Sequence, residues 1–224
     1  MLHIYEFPDF ATISQTLSEQ WLTIVNRTPA DQPCSFALAG GSTPAPIYRQ
    51  FDALFAKQAQ RSIQLLATDE RWVADSDSQS NEGLFRHCFQ HSTEHWQLLS
   101  LKNEQPDPLS AAAAINARLQ QHCDHTLTAV LLGMGADGHI ASLFPDAPEL
   151  LIYDANTACV AALHPQTQQP RMSLSFSRLL DTKRIWLVIT GAEKRAVLTQ
   201  APADSPIGAL LAAAPCDVEV FWCP

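Results

Sequence analysis

The sequence predicts an α/β fold, with a mostly parallel sheet covered by helices on both faces. Two observations carry this. Short apolar runs of strand length alternate with segments of helical spacing along the whole chain. Each distinctive cluster of glycine, charge and histidine begins where one of those runs ends. Ligands of open parallel sheets sit outside the carboxyl ends of the strands, so the clusters are expected to meet at one site. No internal repeat and no low-complexity linker divides the 224 residues, and one domain over 1–224 is expected.

The elements follow in order. Residues 9–27 have helical spacing, with Phe10, Ile13, Leu17, Trp21 and Ile24 on one face. A strand over 35–39 runs into Gly-Gly-Ser-Thr-Pro. Pro44 or Pro46 suits the opening of a helix that continues to about 57, since proline is favoured at a first helical turn. A second strand over 63–67 ends at Thr-Asp-Glu-Arg. Further helices are expected over 80–90, 111–123 and 206–213, and further strands over 97–101, 129–132, 158–163, 185–190 and 218–222.

Composition narrows the function classes. Apolar residues make up 46% and charged residues 17%, a balance that fills a core and excludes a disordered chain. Net charge is 14 minus 23, or −9, which argues against nonspecific nucleic-acid binding. The start lacks a basic segment followed by an apolar run, so no signal peptide is expected. Apolar runs such as 128–134 and 185–190 fall far short of the roughly 20 residues of a membrane span. Cysteines 34, 88, 123, 159, 216 and 223 show no paired spacing and read as free thiols of a cytoplasmic protein.

Four clusters bear chemistry. In the first, Gly40 and Gly41 allow close approach of a ligand, Ser42 and Thr43 add hydroxyls, and the helix start behind them favours an anion. A plain capped turn explains the same residues equally well. In the second, Asp69, Glu70 and Arg71 follow a buried strand, where charges are costly unless paired or used, and Asn81 is placed to reach the same face. A structural Asp–Arg pair and a capping Asn81 are the bland alternatives. The third, Gly133-Met134-Gly135-Ala136-Asp137-Gly138-His139, contains the spacing G-x-G-x-x-G. A dinucleotide site is rejected, because Pro145 and Pro148 interrupt the long helix that such a site needs and the motif lies late in the chain. Asp137 and His139, two apart on a strand-like segment, instead face one side as an oriented base. The fourth is Arg171 with Lys194, two cations suited to clamp a phosphate; solvated surface charge is the alternative. His87, Cys88 and His91, and likewise His122, Cys123 and His125, lack any recognised metal-ligand spacing, and no metal is expected.

Taken together the segments resemble the 6-phosphogluconolactonase family, relatives of glucosamine-6-phosphate isomerase/deaminase. The matching pieces are AGGSTP (39–44), TDERWV (68–73), SNEGL (80–84), LGMGADGHIASLFP (132–145), PRMSLSF (170–176) and ITGAEK (189–194), in the family's order across most of the chain. The resemblance implies the deaminase fold, no cofactor, and hydrolysis of 6-phospho-D-glucono-1,5-lactone in the oxidative pentose phosphate pathway. It implies that Gly40, Gly41, Ser42, Thr43, Arg171 and Lys194 hold the 6-phosphate. His139, oriented by Asp137, is then the base that activates water, Arg71 lies beside the lactone, and Asp69 and Asn81 line the sugar pocket. One departure lowers the expected phosphate affinity: many lactonases carry a lysine before the Pro–Arg segment, where this chain has Gln166-Thr167-Gln168-Gln169. Two rivals remain. The deaminase activity of the sister family expects a glutamate where Phe144 stands. A noncatalytic sugar-phosphate sensor expects a helix-turn-helix segment or a basic surface.

Overall fold

The structure, a computed structural model, describes residues 1–59 and 61–224. Strands β1 (Leu2–Glu6), β2 (Ser35–Leu38), β3 (Ile63–Ala67), β5 (Trp96–Leu98), β6 (Ala129–Leu132), β9 (Ile185–Thr190) and β10 (Val218–Cys223) form the main sheet. Its order is β1-β10-β9-β6-β2-β3-β5, and every neighbouring pair is parallel. Strands β4 (Asp69–Arg71), β7 (Cys159–Leu163) and β8 (Pro170–Leu174) form a separate antiparallel sheet, β4-β8-β7.

The expectation for 158–163 is corrected in its partnership. That strand leaves the parallel sheet and pairs with β8, a strand that propensity hides behind Pro170 and Arg171. Strand β1 was also unforeseen, because a half-exposed edge strand has no continuous apolar run. The expected strand over 97–101 is shorter and earlier, at Trp96–Leu98.

Helices α1 (Phe10–Arg27), α2 (Ala45–Gln58), α3 (Asn81–Cys88), α4 (Pro108–His122), α5 (Phe176–Leu180), α6 (Ala192–Thr199) and α7 (Pro206–Ala213) complete the fold. Their starts are chemically marked. Asp9 accepts from the Thr12 N–H, Ser80 from Gly83, Asp107 from Ser110 and Ser205 from Gly208, each satisfying a donor that a helix start leaves free. No helix among the described residues is long and apolar enough to cross a membrane.

The core closes around Trp21. Its ring stacks on Phe51 of α2 at 3.8 Å and lies near Phe36 of β2, Tyr48 and Trp186 of β9. The indole thereby ties α1 and α2 to two strands. Tyr48 carries the packing toward the glycine turn, because its hydroxyl donates to the Ala39 carbonyl at 2.6 Å. Helix α2 is thus fixed against the end of β2, immediately before Gly40. Truncating Trp21 removes a fully buried indole from the centre of this cluster. Trp21→Ala is expected to destabilise the fold by about 3–5 kcal/mol, read as a lower urea midpoint. A midpoint shift worth less than about 1 kcal/mol would mean that the cluster does not organise the core.

Candidate active site

In the strand order, β3 and β5 lie on one side of β2, and β6, β9 and β10 on the other. The chain therefore reverses direction between β2 and β6. Strands flanking such a switch point send their following loops apart and leave a crevice. A cavity of about 260 Å³ opens there. Gly40 and Thr43 line it after β2, Thr68 after β3, Gly133, Gly135 and His139 after β6, and Lys194 from the first turn of α6 after β9. The small sheet contributes Asp69, Arg71 and Arg171.

The Asp137–His139 pair is built by a turn rather than by the strand-like segment expected for 137–139. Gly135 N–H donates to the His139 carbonyl at 2.9 Å, closing the loop on itself. Asp137 Oδ1 then lies 2.6 Å from His139 Nδ1. A carboxylate only accepts, so Nδ1 carries the proton and Nε2 keeps a free lone pair. Partial burial pushes the Asp137 carboxyl up, but the His139 N–H and imidazole outweigh this and hold it below the ordinary range. Asp137 is consequently ionised near neutral pH. The glycine at 135 is required by contact: a Cβ there would stand 2.2 Å from His139 Nδ1 and 2.5 Å from Asp137 Oδ1.

Opposite this dyad, β4 and β8 place Arg71 and Arg171 as cross-strand partners. Asp69 Oδ2 accepts from Arg171 Nη1 at 3.3 Å and from Ser142 Oγ at 2.6 Å. Arg71 Nη1 donates to Asn81 Oδ1 and to the Gln79 carbonyl, both at 2.8 Å. The Nε atoms of both arginines are buried without a partner. Desolvation draws Arg171 below the usual guanidinium range, opposed by Asp69.

Not every predicted residue lines the cavity. Gly41 and Ser42 belong to the turn after β2, but only Gly40 and Thr43 reach the wall. Asn81 is buried behind the wall, donating to Asp69 and accepting from Arg71. It sits so close to the chain that a Cβ on Gly40 would fall 1.8 Å from its Oδ1. Direct contact with a sugar, the expected role, is replaced by a contact that holds Arg71.

Sequence reasoning missed three contributors. Glu70 is fully buried, and its carboxylate accepts from the N–H groups of Arg71, Asn81 and Glu82 and from Ser80 Oγ, at 2.7–3.0 Å. Ser142 fixes Asp69, and Gln169 accepts from Arg171 Nη2 at 3.2 Å. Glu70 was legible as an acid in a charged run but without a partner. Ser142 comes from a distant loop and carries no local signal, and Gln169, two residues before Arg171, stands out in the sequence only as a departure from a lysine.

The crevice defines an α/β protein with an imidazole–carboxylate pair on one side of a cavity and guanidinium groups on the other. The chain belongs to the family described as glucosamine-6-phosphate isomerases/6-phosphogluconolactonase, which matches residues 8–222. A 6-phosphogluconolactonase of Mesorhizobium japonicum is 33% identical, covering 97% of this chain and 94% of that protein. One of Caulobacter vibrioides is 34% identical over 84% of this chain and 82% of its own length. A crystal structure of a 6-phosphogluconolactonase from Shewanella baltica superposes with a TM-score of 0.91 at 27% identity, covering 100% of this chain and 98% of that one. The fold is shared with a monomeric glucosamine-6-phosphate deaminase, with a TM-score of 0.76 over 98% of this chain and 97% of that one, at 19% identity.

The dyad geometry gives a direct test. In Gly135→Ala the backbone is conformationally permitted, so the new methyl displaces the imidazole rather than unfolding the chain. Stability is expected to change by no more than about 1 kcal/mol, while the His139 imidazole signals in a nitrogen-detected NMR spectrum move. Unchanged imidazole signals would show that the close approach is not what holds the dyad.

Proposed function

We propose that this chain is a 6-phosphogluconolactonase, a carboxylic ester hydrolase that opens 6-phospho-D-glucono-1,5-lactone to 6-phospho-D-gluconate. The observation that carries the reading is the Asp137–His139 dyad facing a crevice lined by Arg71, Arg171 and Lys194. The names of the similar proteins from Mesorhizobium japonicum and Caulobacter vibrioides support the same substrate.

In this reading a water bound beside His139 attacks the lactone carbonyl while Nε2 takes its proton. Asp137 stabilises the imidazolium and keeps its orientation. The negative charge that develops on the carbonyl oxygen is met by Arg71, a fixed donor in a partly desolvated wall. As the tetrahedral adduct collapses, the imidazolium returns its proton to the departing ring oxygen. Atoms balance: one water adds across the C–O bond, and the acid formed releases a proton on ionising. Lys194, Arg171, Thr43 and the turn carrying Gly40, Gly41 and Ser42 bind the 6-phosphate, while Asp69 accepts from sugar hydroxyls.

His139→Ala tests the base. Lactone hydrolysis, corrected for the spontaneous rate, is expected to fall about 10²–10⁴-fold with binding of 6-phosphogluconate retained. A folded variant that hydrolyses at the wild-type rate would remove His139 from the mechanism.

One side chain argues against the sister activity. The deaminases carry a glutamate at the position of Phe144. Here the phenyl ring is buried and packs against His139 at 5.1 Å between centroids. A phenyl group neither exchanges protons nor orients an imidazole by charge. Ammonia release from glucosamine 6-phosphate is accordingly expected to stay at background in a preparation that hydrolyses lactone. Deamination at a comparable turnover would overturn this assignment.

A further inference from the structure

Six residues close a ring of hydrogen bonds around the two guanidinium groups. Arg171 Nη2 donates to Gln169 Oε1, and Gln169 Nε2 donates to Gln79 Oε1. The Gln79 carbonyl accepts from Arg71 Nη1, which also donates to Asn81 Oδ1. Asn81 Nδ2 donates to the Asp69 carbonyl at 2.6 Å, and Asp69 Oδ2 accepts from Arg171 Nη1. The ring is buried at Asp69 and Asn81 and reaches the surface at Gln79 and Gln169.

Two cations on adjacent strands repel each other, and long side chains lose rotamer freedom when they are fixed together. Asp69 supplies the one carboxylate in the ring. The acceptors at the outer edge are neutral amides, and this difference matters. An amide oxygen fixes the direction of a guanidinium without cancelling its charge, whereas a carboxylate there would form a bidentate pair and occupy the donors. Gln169 is sequence-distant from Gln79, so the amide bridge also ties the turn before β8 to the loop before α3. Neither glutamine lines the cavity.

We infer that the Gln79–Gln169 amide bridge is a positioning device for Arg171. It orients the guanidinium toward the anionic group of the substrate without adding a second carboxylate to the one that Asp69 supplies. This rests on the proposed lactonase reading, in which Arg171 binds substrate.

The test is a double-mutant cycle with Gln169→Ala, Gln79→Ala and both together, with Gln169→Glu alongside. Each single alanine variant breaks the bridge without touching the cavity wall. The KM for 6-phosphogluconolactone is expected to rise about 2–10-fold, the scale of one net hydrogen bond, with kcat changed less than twofold. The Gln79→Ala effect should vanish in the Gln169→Ala background, since both remove one link. Gln169→Glu should raise KM further than Gln169→Ala, because its carboxylate occupies Arg171. The same cycle read by calorimetric titration with inorganic phosphate needs no turnover. A wild-type protein that hydrolyses no lactone above the spontaneous rate, yet shows the coupled loss of phosphate affinity, would sink the lactonase reading and leave the bridge standing. Unchanged KM and phosphate affinity in both single variants would overturn the bridge. So would effects that multiply in the double variant, or tighter binding by Gln169→Glu, whatever the wild-type activity.

Discussion

The guanidinium wall of the crevice depends on one buried carboxylate. Glu70 has no exposure to solvent, and a carboxylate in that position is costly unless its lone pairs are filled. They are filled by the backbone of Arg71, by the first two N–H groups of α3 and by the Ser80 hydroxyl, with Lys102 Nζ at 3.6 Å. One side chain therefore satisfies the start of a helix and the strand beside it at once. The consequence is geometric. Arg71 and Asn81 belong to segments separated by a loop, and Glu70 fixes both backbones to a common point. Asn81 can then reach Arg71 and Asp69 together, and Gly40 must lack a side chain to leave it room.

How much of this was legible follows from the range of each signal. The parallel sheet was legible, because its central strands are buried on both faces and read as short apolar runs between helical segments. The small antiparallel sheet was not. Its members are three to five residues long, and β4 and β8 carry the charged residues of the site, so function overrides the alternation that marks a strand. Asp137 and His139 were legible as a pair through their spacing, although a glycine turn rather than strand alternation brings them together. Arg171 was legible as a cation but not as the partner of Asp69, 102 residues earlier. Asn81 was placed on the correct face, and it lies buried behind the cavity wall rather than on it.

The two halves of the crevice are stabilised differently. The dyad is held by a self-closed turn after β6 and sits partly exposed, where water is available as a reactant. The guanidinium wall is held by buried carboxylates and amides contributed by four separate segments. A group that must exchange protons benefits from access to solvent. Groups that only stabilise charge benefit from its removal, since donors fixed in a low dielectric need no reorganisation as charge develops.

Phe144 joins the halves and sets their chemistry. Its ring packs between His139 and His164, at 5.1 and 5.3 Å between centroids. Desolvation draws the His164 imidazole below its ordinary range, and the charge of Arg171 acts in the same direction. The apolar ring therefore lies between two imidazoles, of which His139 has Asp137 at 2.6 Å. A carboxylate in place of the phenyl would put a second negative charge beside His139 and offer a further proton carrier. Amine departure after ring opening needs that carrier. The proposed ester hydrolysis needs one base that takes a proton and gives it back, and a ring that packs and does not titrate leaves the orientation of His139 to Asp137, whose Oδ1 lies 2.6 Å from its Nδ1.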